Sequence, residues 1–190
     1  MNTWFTADTH FGHYSIIEYC RRPFVSVDEM DEAMISNWNN VVKGGDLVYH
    51  LGDFAYGNHE KVKAYRTRLK GKIHLILGNH DYKNKIYNLP RLFTEIDDLK
   101  TIQINHQKII MCHYAMRVWE SSHFNSWQLH GHSHGGLQGV GKQLDVCTDS
   151  WKFTPIGVDQ IFNLMSGKPD NFNYLPPSER VKNKEKECGN

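Results

Sequence analysis

Short apolar runs that stop at polar, glycine-containing turns recur along this chain. The clearest run is 73–77, which ends at Gly78 and is followed by Asn79, His80 and Asp81. Its length, its Ile and Leu content and the glycine after it predict a buried strand. Because glycine allows a sharp turn, we expect the three polar side chains just beyond the carboxyl end of the strand. Ligands bind at that edge in open α/β sheets.

Four further apolar runs have the same layout, and each predicts a strand that ends in potential metal ligands. They end in Asp8-x-His10, Gly52-Asp53, His113 and His132-x-His134. The side chains at these ends offer oxygen and nitrogen donors and no thiolate. Because such donors suit a pair of divalent ions, the pattern predicts a two-metal hydrolase.

Between these strands, the spacing of apolar residues predicts helices that cover a sheet. Residues 26–29 form a capping-box motif, with Val25 and Met30 placed as a hydrophobic staple. The helix that follows is expected to end before Gly44, and other helices are predicted through 16–19, 60–69 and 155–165. A loop or short helical turn is expected over 83–91, a hairpin turn at 105–107 and short strands over 137–148. This order favours a mixed α/β layered domain over a doubly wound sheet.

Length and composition fit one soluble domain. The 190 residues predict a single domain over 1–175 and a polar, mobile tail over 176–190. The formal net charge of +1 gives no strong field for nucleic acid, so a nucleic-acid partner is not indicated. The four cysteines form no Cys-x-x-Cys pair, and neither a signal peptide nor a membrane span is visible. These features favour a cytoplasmic protein with no membrane partner.

The spacing within the strand ends also favours metal chelation. Residues two apart on an extended chain point to the same side, so Asp8 and His10 can chelate one ion. Asp53 is the best candidate for a carboxylate that bridges two ions, since its strand is expected to be central. Asn79 can add a neutral amide oxygen.

Taken together and in order, the five strand ends resemble the calcineurin-like metallophosphoesterase superfamily. The blocks span residues 8–134, and the Phe11-Gly12-His13 extension resembles compact stand-alone phosphoesterases of bacteria and phages. The resemblance implies an α/β fold, a four-layer α/β/β/α sandwich, with a dimetal site at one edge. It assigns one ion to Asp8, His10, Asp53 and His134, and the second ion to Asp53, Asn79, His113 and His132.

The resemblance also implies a mechanism. His80 would protonate the leaving group or stabilise charge, with Asp81 orienting His80. Two divalent ions about 3.5–4 Å apart would clamp phosphate oxygens and activate a bridging water for in-line attack. Manganese suits this ligand set, as do iron, zinc and nickel.

Substrate contacts are less strongly indicated by the sequence. Arg22 and Arg117 are candidates because guanidinium groups bind phosphate bidentately, and His13 either contacts phosphate or supports its loop. Few cations adjoin the ligands, which favours phosphodiesters, including nucleotide-derived or cyclic ones. The alternatives are a phosphomonoesterase acting on a small phosphorylated metabolite or a nucleic-acid end and, more remotely, a non-catalytic metal-binding scaffold. The oligomeric state stays open.

Two other hydrolase classes are disfavoured by the pattern. An HD-type phosphohydrolase would require His80 and Asp81 on a helix, whereas the preceding apolar run and Gly78 indicate a strand end. A metallo-β-lactamase-like enzyme would require a His-x-His-x-Asp-His cluster, which the chain lacks.

Overall fold

Helices and strands alternate in the first half of the chain, and strands dominate the second half, in this computed structural model, which describes residues 1–179. The helices are α1 (Tyr14–Tyr19), α2 (Val27–Val41), α3 (His59–Arg68), α4 (Asn79–Lys83) and α5 (Val158–Ser166). The strands are β1 (Thr3–Thr6), β2 (Leu47–His50), β3 (Lys72–Ile76), β4 (Glu95–Asp97), β5 (Leu99–Ile104), β6 (Gln107–Cys112), β7 (Trp127–His130), β8 (Gln143–Asp145) and β9 (Ile156–Gly157). From position 180 onward, the predicted C-terminal tail lies outside the described residues.

The strands form two sheets that bring several carboxyl ends together. The first sheet has the order β4-β3-β2-β1-β9, with β1 to β4 parallel and β9 antiparallel to β1. The second has the order β5-β6-β7-β8, with β6 to β8 parallel and β5 antiparallel to β6. A bridge between Ala7 and Cys147 joins the end of β1 to the segment after β8. The predicted α/β fold with two sheets in one domain is confirmed.

The first hydrophobic core lies between helices α1 to α3 and one face of the first sheet. Helix α2 contributes Met30, Met34 and Trp38, all buried, as its amphipathic pattern predicts. The indole N–H of Trp38 donates to the carbonyl of Lys70 at 2.9 Å. This bond satisfies the one polar atom of the indole, so the large side chain can be buried without an unpaired donor.

The second core lies between the two sheets. Successive strand residues point to opposite faces, so Val48 belongs to the first core and its neighbour Tyr49 to the second. Met111 and Leu129 of the second sheet and Ile161 of α5 complete this core. Burial on both faces explains why the strands of the first sheet are nearly continuous apolar runs.

The start of α2 differs from the predicted arrangement. Ser26 caps the helix, its hydroxyl accepting the Glu29 N–H at 3.1 Å, while the Glu29 carboxylate accepts the N–H of Val25 at 2.8 Å. The predicted staple is wrong, because Val25 is 92% exposed. The larger Phe24 packs against the first core instead, so the chain enters the helix with Val25 turned outward.

The second half matches most of its predictions. The hairpin turn between β5 and β6 is confirmed, with positive φ angles of 48° at Asn105 and 64° at His106. Such angles at both central residues match the twist of the flanking strands. The last helix begins at Val158, because the preceding residues form β9. Within residues 1–179, no helix has the length and apolar character required to cross a membrane.

Removing the Ser26 cap should lower the free energy of unfolding by about 1 kcal/mol in a Ser26→Ala variant, because the Glu29 N–H loses its acceptor. The matched Val25→Ala change should alter it by less than about 0.5 kcal/mol, since that side chain is exposed. Urea unfolding followed by circular dichroism measures both. Equal losses in the two variants would contradict the described helix start.

Candidate metal centre

Side chains from five strand ends converge at the edge that the two sheets share. Potential ligand atoms within 4.8 Å of one another form one group of Asp8, His10 and His134 and a second group of Asp53, His113 and His132. Asn79 joins the second group, its Oδ1 lying 3.3 Å from Nε2 of His113. The structure therefore brings all seven predicted ligands together.

Asp53 lies between the two groups. Its Oδ2 is 3.5 Å from Nε2 of His10 and 3.6 Å from Nε2 of His113. Its Oδ1 accepts the backbone N–H of His80 at 2.8 Å. One oxygen of the carboxylate therefore faces both groups.

The chemistry of the buried atoms fits a cation. Oδ1 of Asp8 and Nε2 of His10 are buried and have no hydrogen-bond partner among the described residues. Burial raises the pKa of Asp8 and Asp53 and lowers the pKa of His10 and His113, because the charged forms lose their hydration. A divalent ion would satisfy the unpaired atoms and neutralise the buried carboxylates.

The backbone at the ligands is unusual. Five of the seven predicted ligands have positive φ angles, namely Asp8 (57°), His10 (49°), Asp53 (56°), His132 (65°) and His134 (47°). Side chains with a Cβ rarely adopt this region, although Asp and His tolerate it better than most. Such conformations cluster at functional sites and persist where the surrounding structure holds them.

Three glycines allow the ligand loops to approach one another. A Cβ at Gly52 would clash with His113, one at Gly78 with Asp53, and one at Gly131 with Asp8. Gly52 also has a φ of 95°. All three positions require glycine for the same reason, because each loop packs directly on the ligand of another.

Asp81 holds these loops rather than the His80 ring. Its buried carboxylate accepts backbone N–H groups from Asp53 at 2.7 Å, Phe54 at 3.0 Å and Gly78 at 2.9 Å. Burial raises the pKa of Asp81 to about 7, against the lowering effect of these bonds. The prediction that Asp81 orients the imidazole of His80 is corrected accordingly: Asp81 joins the loops that follow β2 and β3.

His80 lies on the one-turn helix α4, directly after β3. The expectation that His80 and Asp81 lie at a strand end rather than on a helix, which disfavoured an HD-type hydrolase, is wrong, because both residues are helical although a strand precedes them. The His80 ring lies 4.9 Å from the His10 ring between centroids, and its Nδ1 is buried without a partner among the described residues. Burial lowers the pKa of His80, while the Asp53 carboxylate opposes that shift.

Neighbouring acceptors set which ring nitrogen of each histidine ligand faces the centre. Nδ1 of His113 lies 2.7 Å from the carbonyl oxygen of Leu51, and Nδ1 of His134 lies 2.9 Å from the Asp149 carboxylate. In both rings Nε2 is left to face the ligand group. Burial alone would lower the pKa of His134, but the bond to Asp149 raises it to about 10, so metal binding at Nε2 would release a proton.

Asp149 was missed by the sequence argument. It follows the apolar segment after β8 in the same way that Asp8 follows β1, which is the signal that could have identified it. Its carboxylate accepts two bonds from the guanidinium of Arg22, both at 2.8 Å. Arg22 is buried and also donates to the carbonyls of Asp8 and Thr9. The predicted substrate-binding role of Arg22 is therefore wrong: it supports the loop that carries the first ligands.

A cleft of about 530 Å³ opens over the metal centre. Its lining includes His13, Tyr56, His80 and Lys83 beside the ligands. His13 lies where the sequence suggested, with its ring Nδ1 3.3 Å from Nδ1 of His10. Arg117 is not part of the lining, because its guanidinium lies over the ring of Phe172 at 4.4 Å. Lys83 is the Lys or Arg side chain that lines the cleft within residues 1–179.

Comparisons with known proteins agree with this geometry. A domain model of the calcineurin-like phosphoesterase superfamily matches residues 1–143. The uncharacterized protein MJ1445 of Methanocaldococcus jannaschii is 32% identical over 168 residues, 84% of this chain and 88% of that protein. The Gene 66 protein of Mycobacterium phage L5 is 25% identical over 198 residues, 87% of this chain and 94% of that protein.

A solved structure also has this fold. The crystal structure of AQ665 from Aquifex aeolicus, a protein of unknown function, matches with a TM-score of 0.71 and 24% sequence identity. The match covers 86% of this chain and 98% of the other. At 24% sequence identity, this match supports a shared fold and carries no statement about function.

Weakening the support of His134 should weaken metal binding. In an Asp149→Asn variant we expect the dissociation constant for Mn²⁺ to rise about 10- to 100-fold, the usual effect of losing a carboxylate behind a histidine ligand. Competition with a chelator measures it, and Asp159→Asn, at an exposed carboxylate on α5, is the control. Thermal unfolding of the metal-free proteins separates lost affinity from lost fold. Unchanged affinity in a folded variant would contradict the positioning role.

Proposed function

The chain belongs to the calcineurin-like phosphoesterase superfamily, and we propose that it is a phosphodiesterase that uses two divalent metal ions. The position of Asp53 Oδ2 between the two ligand groups carries this proposal. A single carboxylate oxygen within reach of both groups is the arrangement expected for a bridged pair of ions. Manganese is the proposed metal, with iron, zinc and nickel compatible with the same donors.

In this proposal Asp8, His10, Asp53 and His134 hold one ion, and Asp53, Asn79, His113 and His132 hold the other. Bound there, the ions would neutralise phosphate charge and acidify a water molecule. The bond from Nδ1 of His113 to the Leu51 carbonyl and the fixed backbone of Asp53 position the ligand atoms before substrate arrives. Little reorganisation is then needed during the reaction.

His80 is the proposed proton donor. Its ring lines the cleft beside His10, and its backbone N–H is tied to Asp53. A ring proton would pass to the oxygen of the leaving group as the bond to phosphorus breaks. Because the same Asp53 carboxylate faces both ligand groups, the His80 backbone is held at a fixed position relative to the metal centre.

The charges and shape of the cleft support a diester over a monoester. A dianionic monoester carries more negative charge than a diester, and among residues 1–179 the lining offers one Lys or Arg side chain, Lys83. Exposed tyrosines flank the centre on two sides: Tyr56 lines the cleft, and Tyr114 contacts the rings of His113 and His132. In this proposal, each tyrosine offers an aromatic surface to one of the two groups that a diester carries on phosphorus. The net charge of +1 favours a small ester over a long nucleic acid.

The substrate preference is tested with two esters of the same leaving group. We expect a higher kcat/KM for bis(p-nitrophenyl) phosphate than for p-nitrophenyl phosphate at saturating Mn²⁺ and one pH. Treatment with a chelator should abolish turnover, and added Mn²⁺ should restore it. A clear preference for the monoester would contradict the diester assignment and favour a phosphomonoesterase. Absence of metal-dependent turnover of either ester would contradict the proposed activity.

The role of His80 is tested by the leaving group. General acid catalysis contributes about 10²- to 10⁴-fold, so His80→Ala should lower kcat by that order for a diester with an alkoxide leaving group. An ester that releases p-nitrophenolate should lose much less, because this group leaves without a proton. His106→Asn, on the exposed hairpin turn, is the control, and metal content is measured in each variant. Equal losses for both esters would indicate charge stabilisation instead.

A further inference from the structure

Two exposed tyrosines line the cleft over the metal centre. Tyr19 on α1 is 75% exposed, and Tyr56 in the loop after Asp53 is 48% exposed. Exposed aromatic surface that adjoins a reactive site commonly marks a binding surface. The fold therefore places unburied ring area next to the position proposed for the phosphate.

Tyr56 is held in place by the loops that carry the ligands. Its backbone N–H donates to the carbonyl of Phe11 at 2.8 Å, and the N–H of Phe11 donates to the carbonyl of Phe54 at 3.1 Å. These bonds pair the segment after Asp53 with the segment after His10. The position of Tyr56 relative to the metal centre is thus fixed by backbone rather than by a flexible loop.

The ring of Tyr56 is backed by a second ring. It stacks on His13 with a centroid separation of 4.5 Å and an interplanar angle of 11°. The His13 ring is itself buried and contacts His10. Tyr56 therefore presents a supported aromatic surface, and little side-chain freedom has to be lost when a flat ligand binds on it.

A second tyrosine that contacts Phe11 packs against the core instead of lining the cleft. Tyr65 stacks on the ring of Phe11 at 5.3 Å, and its hydroxyl donates to Asp31 at 2.7 Å. Tyr65 thus packs against the first core, whereas Tyr56, attached to the same Phe11 through its backbone, lines the cleft. The two tyrosines differ in environment although both contact one residue.

The stacked rings of Tyr56 and His13 lie close to the proposed proton donor, His80. Ring centroids of His13 and Tyr56 lie 5.3 Å and 6.4 Å from that of His80, the proposed proton donor. In a nucleotide, a ribose separates the phosphate from a flat aromatic base, so a phosphate at the metal ligands would place the base near these rings. Ser15 and Lys83, which also line the cleft, offer donors to the edge of a base or to the phosphate.

We propose that Tyr56, backed by His13 and flanked by Tyr19, is a stacking platform for a nucleobase, so that the substrate class is a nucleotide-type phosphodiester. Stacking on an aromatic side chain accepts every base, since each has a π face. The inference rests on the proposed function in one respect, that the phosphate of the ligand binds at the metal centre.

The test compares two ligands that differ only in the base. One is a phosphinate analogue of the methyl ester of adenosine 5′-monophosphate, in which carbon replaces both ester oxygens, so that it carries one negative charge, as a diester does, and cannot be hydrolysed. The other is the same ribose phosphinate without adenine. We expect calorimetric titration of the Mn²⁺-loaded protein to give about tenfold tighter binding of the adenine compound. In Tyr56→Leu this ratio should fall close to one, and Tyr56→Phe should restore it.

Two further variants complete the design. Tyr19→Leu should reduce the ratio and provides a second probe if Tyr56→Leu does not fold. Phe172→Leu removes an exposed ring that lies under Arg117 outside the cleft, and should leave the ratio unchanged. Equal binding of the two compounds by the wild-type protein, or an unchanged ratio in the folded Tyr56→Leu variant, would overturn the inference.

Failure of this inference is distinguishable from failure of the proposed function. Turnover of bis(p-nitrophenyl) phosphate without a preference for the adenine compound would retain the phosphodiesterase and remove the nucleobase platform. Base-dependent binding that Tyr56→Leu abolishes, without turnover of any diester, would retain the platform and remove the proposed activity.

Discussion

The structure depends on the burial of two carboxylates, Asp8 and Asp53, and two imidazoles, His10 and His113, at the edge that the two sheets share. Asp8 and Asp53 are buried, and an oxygen of Asp8 and a nitrogen of His10 have no hydrogen-bond partner among the described residues. Such an arrangement is costly unless a cation completes it. The surrounding backbone holds these groups in place. The free-energy cost of burying them without partners therefore supports the metal-ligand interpretation, as the sequence motif does.

Buried polar side chains next to the ligands connect the loops along this edge of the two sheets. Asp81 ties the loops after β2 and β3 together through three backbone N–H groups, and Arg22 with Asp149 ties the loop after β1 to the segment after β8. Positive φ angles at most of the ligands are tolerated because these contacts leave the loops few alternatives. Rigidity of this kind gives a site that is formed before its substrate arrives, which is what electrostatic catalysis requires.

The loops that hold the ligands also shape the cleft. Pairing of the segments after His10 and Asp53 fixes Tyr56 on His13. Arg22 donates to the carbonyl of Asp8, and Arg117 lies over the ring of Phe172. Among residues 1–179, Lys83 is therefore the Lys or Arg side chain that lines the cleft. The same few backbone contacts therefore govern the metal ligands, the local charge and the aromatic surface available to a substrate.

The sequence by itself determined the strands that end in ligands, the main helices and the family, because burial in a sheet and sharp turns impose local patterns. It assigned the wrong partners to Arg22 and Asp81 and did not identify Asp149, since their roles depend on residues far along the chain: Arg22 and Asp149 meet across 127 positions. It also misplaced Val25, because burial at a helix start depends on which neighbour fills the core. Only the tertiary structure decided these matters, because long-range partners of polar groups leave no periodic signal in the chain.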